Sequence, residues 1–276
     1  MTTQAYFLPE SVDEALGLLA EHGPDLLVMA GGTLAMPLIN EGVSIPEKVM
    51  GLRRAGLNTV RQVDGALELG ATATLTQVIE QDAIPLLAEA ARHIGGWAIR
   101  NMGTVGGNLF APPPSGDLAA TLLALDATVT LAGKNGERTL PLADFFTGFM
   151  ATAVEPGEIV TGIRVPLPEG KTIFLKHGRK TSNTPSIVTV VAHLTMDGDT
   201  VGQARIALNG VGPHPLRAHA AEAALEGKAL DAASIEAAAE VAGGECEPFT
   251  DAVASEWYRR KMTRVFVRRA LEALAG

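Results

Sequence analysis

Two glycine-centred stretches decide how this sequence is interpreted: Ala30-Gly31-Gly32-Thr33 and Thr104-Val105-Gly106-Gly107-Asn108. Each follows an apolar run and places paired glycines beside a small hydroxyl residue. Paired glycines let two or three backbone N–H groups point at one anion with no Cβ in the way. Two such loops, about 70 residues apart, indicate a ligand with an extended charged centre, such as the pyrophosphate of a dinucleotide. Tight turns are the competing interpretation of either loop alone.

The composition is that of a globular protein with a hydrophobic core. The chain has 276 residues, 47% hydrophobic and 19% charged, which suits one large or two modest domains. Its net charge of −9 argues against nucleic-acid binding. The single cysteine, Cys246, excludes a disulfide framework and an iron–sulfur cluster held by this chain alone. With no signal-peptide pattern and no apolar run near the roughly 18 residues of a membrane span, we expect a cytoplasmic protein.

Helix and strand signals alternate over the first 168 residues. Ser11, with Glu14 three residues later, predicts a capping box and a helix that Gly23 ends. Thr74 with Gln77 predicts a second helix start. Further strands are expected at residues 26–29, 67–70, 128–131 and 158–165, and further helices at 84–94 and 117–125. Two prolines and a glycine at residues 166–170 mark the best candidate for a linker.

After this linker, strand signals come first and helix signals come later. Strands are expected at residues 171–177, 186–196 and 204–211, and helices at 216–225, 232–242 and 251–274. This order predicts a small α+β domain that does not repeat the first one.

Several familiar site patterns are missing from the sequence. There is no G-x-G-x-x-G fingerprint, which disfavours a Rossmann fold, and no G-x-x-x-x-G-K-[ST] P-loop. The six histidines form no metal-binding pair at i, i+4 spacing, and there is no Cys–His cluster. A G-x-S-x-G nucleophile elbow is also missing. The two glycine loops therefore remain the main candidate for a binding site.

A resemblance to a known family covers nearly the whole chain. It rests on the two glycine loops, the lead-in Ile99-Arg100-Asn101-Met102-Gly103, the segments 11–21, 116–118 and 155–160, the strand around Lys176 and the helix 258–270. The chain resembles the FAD-binding medium subunits of molybdenum-containing hydroxylases, the family of the carbon monoxide dehydrogenase flavoprotein and the xanthine dehydrogenase FAD domain. The resemblance implies an α+β fold. Residues 1–168 would form a two-lobed FAD-binding domain of the PCMH or vanillyl-alcohol-oxidase type, and residues 169–276 a small flavoprotein C-terminal domain.

The resemblance also implies a set of residues that bind FAD non-covalently. The stretch 27–35 would wrap the pyrophosphate, 104–108 would form a second phosphate loop, and Asp117 would contact the adenosine part. Val160 and Lys176 would reach the isoalloxazine, and Ile94 would lie near the adenine. The full set is Leu27, Val28, Met29, Ala30, Gly31, Gly32, Thr33, Leu34, Ala35, Thr104, Val105, Gly106, Gly107, Asn108, Asp117, Val160 and Lys176.

The residue types suit these roles, but two of them have structural alternatives. A lysine near the N1/C2 edge of a flavin stabilises the anionic reduced form, yet Lys176 could equally be an exposed lysine of an edge strand. A carboxylate suits ribose hydroxyls, yet Asp117 could cap the helix that follows it. Three departures from the family pattern leave the electron acceptor open: Leu34, Pro112-Pro113-Pro114 and Ser182-Asn183-Thr184-Pro185.

The function implied by the resemblance is electron transfer within a heteromeric oxidoreductase. A [2Fe–2S] centre on a small partner subunit would reduce FAD on this chain, and an external acceptor would take the electrons. Substrate oxidation would occur on a large molybdopterin subunit, so we assign no catalytic residue and no metal site here. One alternative is a self-sufficient FAD-dependent oxidoreductase of the same superfamily, similar to the reductase of cell-wall UDP-sugar synthesis. Another is a docking module whose flavin site has decayed.

A run of cationic residues in the predicted C-terminal helix has two interpretations. It is either a solvated helix face or a docking face for a partner. The run comprises Arg259, Arg260, Lys261, Arg264, Arg268 and Arg269.

Overall fold

The first lobe is a three-stranded parallel sheet with two helices. The computed structural model describes residues 3–181 and 183–276, so Ser182 of the predicted loop departure lies outside it. The sheet has the order β1-β3-β2. Its elements are β1 (Ala5–Phe7), α1 (Val12–His22), β2 (Leu26–Met29), α2 (Ala35–Asn40) and β3 (Lys48–Gly51). Ser11 caps α1 as expected, because its side-chain oxygen accepts a hydrogen bond from the N–H of Glu14. The second half of the predicted capping box differs: the Glu14 carboxylate accepts a hydrogen bond from the N–H of Glu10 and not from that of Ser11.

The second lobe is a five-stranded antiparallel sheet of order β4-β5-β10-β6-β7, with a separate β8–β9 hairpin. The predicted capping box of Thr74 and Gln77 is confirmed at the start of α3. The strands are β4 (Val60–Val63), β5 (Ala66–Gly70), β6 (Thr128–Gly133), β7 (Gly136–Pro141), β8 (Phe146–Gly148), β9 (Ala151–Thr152) and β10 (Ile159–Pro166). The helices are α3 (Leu75–Glu80), α4 (Pro85–Arg92), α5 (Trp97–Arg100), α6 (Val105–Leu109) and α7 (Asp117–Ala124).

The C-terminal domain is a four-stranded antiparallel sheet followed by three helices. Its elements are β11 (Lys171–Gly178), β12 (Ser186–Asp197), β13 (Thr200–Asn209), β14 (Leu216–Arg217), α8 (His219–Leu225), α9 (Ala232–Glu245) and α10 (Glu256–Ala275). Because side chains alternate along a strand, the sheet has two buried faces. Val191 of β12 packs into the core of the second lobe, whereas Val190 packs against α8–α10. The sheet therefore joins the two domains through one of its faces.

Two predicted helix starts in this domain were wrong. The helix expected at residue 216 begins at His219, because Leu216 and Arg217 pair with β13 as a short edge strand. The helix expected at residue 251 begins at Glu256. The Asp251 carboxylate instead accepts from the N–H groups of Val253 and Ala254 and holds a turn before the helix.

The cationic residues of α10 mostly serve contacts within the chain. Arg259 is fully buried; its guanidinium donates to the carbonyls of Ser186, Ile187 and Gly210 and to the Asp251 carboxylate. Arg260 donates to two backbone carbonyls, and Arg264 and Arg268 pair with glutamates of α9. Most residues of this run therefore stabilise the packing of α10 against the sheet and against α9. Within the described residues, no helix is both long and apolar enough to cross a membrane.

Candidate cofactor site

A cavity of about 680 Å³ opens where the two lobes and the C-terminal domain meet. Its volume lies in the range of ligand and cofactor sites. Every residue of the predicted binding set except Val105 lines it, and so does Ile94. The cavity therefore brings together stretches that are far apart in the chain.

The first glycine loop offers a row of free hydrogen-bond donors. It follows β2 directly, and Gly32 takes a φ of +74°, a left-handed conformation that glycine adopts without strain. The backbone N–H groups of residues 31–35 have no hydrogen-bond partner among the described residues, and all five residues line the cavity. Successive N–H groups in such a turn form a concave anion-binding site. This loop has the donors that a pyrophosphate requires.

The segment that leads into the second glycine loop packs closely against the first loop. A Cβ on Gly31 would overlap the backbone carbonyl oxygen of Met102, which precedes the second loop. A Cβ on Gly106 would lie 2.8 Å from the carbonyl oxygen of Ala71. Glycine is therefore required at these two positions by close packing of backbone against backbone.

The N–H groups of residues 105–108 in the second loop are already engaged, which differs from the expectation that both loops present these donors to a ligand. The N–H of Val105 donates to Ala73 O at 2.9 Å, that of Gly106 to Ala71 O at 2.9 Å, and that of Gly107 to Thr104 Oγ1 at 3.1 Å. The Val105 side chain is fully buried in the core of the second lobe. Val105 thus has a packing role and does not line the cavity.

The second loop contributes a side chain to the cavity instead. Asn108 lines the cavity, and its Oδ1 is buried without a hydrogen-bond partner in the described part of the chain. Buried polar atoms are normally satisfied, because an unpaired one costs about 1–3 kcal/mol. This oxygen is therefore a ready acceptor for a hydroxyl or N–H group of a bound molecule.

Asp117 and Lys176 form a buried ion pair in the cavity wall. Lys176 Nζ lies 2.7 Å from Asp117 Oδ2 and 3.1 Å from the carbonyl oxygen of His93. The Asp117 side chain is only 4% exposed and the Lys176 side chain only 7%. Lys176 follows Phe174 by two residues on β11, so both face the second lobe. This placement contradicts the alternative in which Lys176 is an exposed edge-strand lysine.

The same contact constrains the roles implied for these two residues. Gly116 is the N-cap of α7 and Asp117 its first helical residue, so the alternative in which Asp117 caps the helix was wrong. Because Asp117 and Lys176 touch, they lie at one point of the cavity. In an extended dinucleotide the adenosine and the isoalloxazine lie at opposite ends, whereas these two side chains lie together; that Asp117 contacts the adenosine and Lys176 the isoalloxazine stays a prediction.

Several cavity residues carried no signal in the sequence. Most are apolar or small side chains from loops, which contribute shape without a recognisable pattern. They include Leu38, Ser44, Leu52, Ala71, Leu75, Gly95, Phe110, Ala111, Ser115 and Val154. Other lining residues lie in segments that the resemblance had singled out: Ile99 and Gly103 in the lead-in to the second loop, Glu158 and Ile159 in the segment 155–160, and Thr184 and Pro185 in the departure at 182–185.

Residues 1–168 match a family model described as the FAD binding domain in molybdopterin dehydrogenase. The chain belongs to this family. Residues 173–274 match a second model, the CO dehydrogenase flavoprotein C-terminal domain. The cavity suits FAD on its own observations: a row of free N–H donors, the glycine-only contact at Gly31 and the unsatisfied Asn108 oxygen.

Relatives match this chain over nearly its full length. It is 34% identical to a carbon monoxide dehydrogenase medium chain from Hydrogenophaga pseudoflava, covering 97% of this chain and 96% of the relative. It is 30% identical to a glyceraldehyde dehydrogenase medium chain from Sulfolobus acidocaldarius, covering 98% of both. A solved structure of the Hydrogenophaga pseudoflava carbon monoxide dehydrogenase superposes with a TM-score of 0.94 at 36% identity, covering 98% of this chain and 96% of the other.

These matches confirm the predicted family, the α+β fold and FAD as the cofactor. The chain is the FAD-carrying subunit of a molybdenum hydroxylase-type oxidoreductase. The two relatives are named for different substrates, carbon monoxide and glyceraldehyde. A chain of this family therefore does not by itself define what the complex oxidises.

Proposed function

We propose that this chain is the electron-transfer subunit that connects a [2Fe–2S] partner to an external acceptor, while a large molybdopterin subunit oxidises the substrate. The row of free N–H groups at residues 31–35 carries this proposal, because it is a built anion site inside a cavity of cofactor size. FAD supplies the redox chemistry when bound. The chain's own residues hold it, exclude water around it and set the charge near it.

The proposed contacts follow the predicted set with one change. Residues 27–35 wrap the pyrophosphate through backbone donors. The second loop, 104–108, contributes mainly through the Asn108 side chain, since the N–H groups of residues 105–108 are engaged elsewhere. Val160 and Lys176 lie at the isoalloxazine end, where the ammonium group favours the negative charge of reduced FAD. We place the boundary between the FAD domain and the C-terminal domain at residues 168 and 169.

The first experiment is flavin content. The purified full chain should bind FAD non-covalently, so that heat or acid releases flavin in a ratio of about one per chain. A colourless chain that shows no flavin spectrum after incubation with FAD contradicts the proposal.

The second experiment is the partnership. Co-expression with the genes beside it should yield a complex with a cysteine-rich small subunit and a large subunit. Reduction of the [2Fe–2S] centre should then bleach the flavin absorbance in stopped-flow measurements. A chain that oxidises an organic substrate alone supports the self-sufficient oxidoreductase instead.

We also propose a cytoplasmic location, because the single free cysteine, Cys246, is buried and unpaired, as is usual in a reducing compartment. Cell fractionation with an antibody against the chain tests this directly. Recovery of the chain in a periplasmic or secreted fraction contradicts it.

A further inference from the structure

The Asp117 carboxylate is held by four side chains, and all of them belong to the C-terminal domain. Its Oδ1 accepts from Ser186 Oγ at 2.7 Å, Thr189 Oγ1 at 2.6 Å and Asn209 Nδ2 at 3.1 Å. Its Oδ2 accepts from Lys176 Nζ at 2.7 Å. Asp117 itself begins α7 in the second lobe. The carboxylate is thus the point at which strands β11, β12 and β13 are fastened to the FAD domain.

This arrangement engages both carboxylate oxygens. Three neutral donors stabilise Oδ1, and the ammonium group stabilises Oδ2. Neutral donors to a carboxylate spread its charge and lower its energy. The strength with which Asp117 attracts Lys176 is therefore adjusted by Ser186, Thr189 and Asn209, and these three residues do not line the cavity.

From this network we infer that Asp117 is a positioning residue, which acts on the cofactor through Lys176. It holds the Lys176 ammonium at a fixed point of the cavity wall and partly neutralises it. The net charge that the cofactor meets there is then set by residues of the C-terminal sheet behind the wall. This inference rests on the proposed function, because it concerns the affinity of the same cavity for FAD.

Two substitutions should change that charge in opposite directions. Thr189→Val removes a donor to Oδ1 with almost no change in shape, so the carboxylate becomes a stronger negative centre beside Lys176. Reduced FAD should then bind more weakly relative to oxidised FAD. Asp117→Asn removes the negative charge, so at pH 7 reduced FAD should bind more tightly relative to oxidised FAD.

The experiment measures the dissociation constants of oxidised and reduced FAD, and the midpoint potential, in the full chain. A tenfold change in the ratio of the two constants equals about 30 mV for a two-electron couple. We expect Thr189→Val to lower the potential and Asp117→Asn to raise it. The matched control is Thr263→Val: Thr263 is also fully buried in the C-terminal domain, but its hydroxyl donates to the Arg259 carbonyl, away from Asp117.

The outcomes separate this inference from the proposed function. Opposite shifts in the two variants, with the wild-type potential in Thr263→Val, support the positioning role. If Thr189→Val and Asp117→Asn both keep the wild-type potential, the positioning role is overturned and the proposed function stays intact. The same holds if the control Thr263→Val shifts the potential as much as Thr189→Val does. If Asp117→Asn does not fold, Thr189→Val alone decides, since a purely structural role would lower stability without moving the potential. A wild-type chain that binds no FAD overturns both.

Discussion

Gly31 lies directly against the backbone carbonyl of Met102, in the lead-in to the second glycine loop, so that any side chain on Gly31 would overlap this lead-in. This contact joins the first loop, which lines the cavity and has unpaired N–H groups among the described residues, to the lead-in of the second loop, in which the N–H groups of residues 105–108 are engaged within the protein. We therefore propose different tasks for the two loops: the first binds the cofactor and the second supports the first. Substitutions should distinguish these tasks.

We expect Gly31→Ala to abolish FAD retention and to lower the free energy of unfolding by about 1–3 kcal/mol, because the new methyl group must push the loops apart. Flavin content after gel filtration and urea unfolding measure the two effects. Gly17→Ala is the matched control. No atom lies within 4 Å of a Cβ at Gly17, and alanine in the middle of α1 should stabilise it slightly. Normal flavin content in Gly31→Ala would show that the loop contact is dispensable.

We expect Asn108→Leu to weaken FAD binding about tenfold, which corresponds to ~1.4 kcal/mol, by removing the unpaired acceptor Oδ1 from the cavity wall. The stability of the apoprotein should not fall, because this oxygen has no partner among the described residues to lose. Fluorescence titration with FAD and thermal unfolding of the apoprotein measure both quantities. The control Asn135→Leu, in the exposed turn between β6 and β7, should leave FAD affinity unchanged. A loss of apoprotein stability without a loss of affinity would contradict this role for Asn108.

We expect Lys176→Met to destabilise the apoprotein by about 3–5 kcal/mol, because it leaves the buried Asp117 carboxylate without its counter-charge. The double variant Lys176→Met/Asp117→Asn should be more stable than the sum of the two single effects predicts. Chemical unfolding of the four proteins without FAD gives this coupling free energy. Strictly additive effects would mean that the two charges do not stabilise each other.

His177 should make the fold sensitive to mild acid. Burial lowers the pKa of this imidazole, and the nearby Arg269 lowers it further. A histidine with a lowered pKa binds protons less readily in the folded chain than in the unfolded chain, so its contribution to stability is lost as the pH falls below about 6.5. Between pH 7.5 and 5.5 we expect the Tm of His177→Gln to fall less than that of the wild type. Identical slopes would assign the acid sensitivity to other groups.

We expect Arg259→Met to lower the free energy of unfolding by about 3–5 kcal/mol, since it removes the donor of three buried carbonyls and of Asp251. Arg264→Met, on the same helix, loses only a partly exposed pair with Glu240 and should cost about 0–1 kcal/mol. Urea unfolding of both variants compares the two arginines. A similar cost in both would contradict the anchoring role of Arg259.

Local signals in the sequence predicted the local structure well. Thr74 and Gln77 mark the start of α3 because both halves of a capping box lie within four residues. The start of α10 was wrong because Asp251, an acceptable helix residue in the periodic pattern, forms hydrogen bonds to its own turn instead. Edge pairing of Leu216 with β13 depends on a partner strand that periodicity does not reveal.

The cavity was predictable only in part, for a physical reason. The first loop was identified because its donors come from consecutive residues. The ion pair of Asp117 and Lys176 joins residues 59 positions apart in two domains, and no local pattern encodes such a contact. The engagement of the Gly106 N–H by Ala71 likewise depends on how α6 packs against the end of β5. All but one of the residues predicted to bind FAD thus line one cavity, and the roles assigned to them stay predictions.

The fastening of Asp117 by residues 176, 186, 189 and 209 has a consequence for biosynthesis. As the chain leaves the ribosome, both glycine loops emerge long before Asn209, the last of the four partners. Until Lys176 emerges, the acidic side chain has none of its four partners and the cavity lacks the wall that β11 provides; until Asn209 emerges, the set of partners is incomplete. Flavin loading is therefore expected to wait until the C-terminal sheet has formed, and nascent chains arrested before residue 209 should emerge without cofactor.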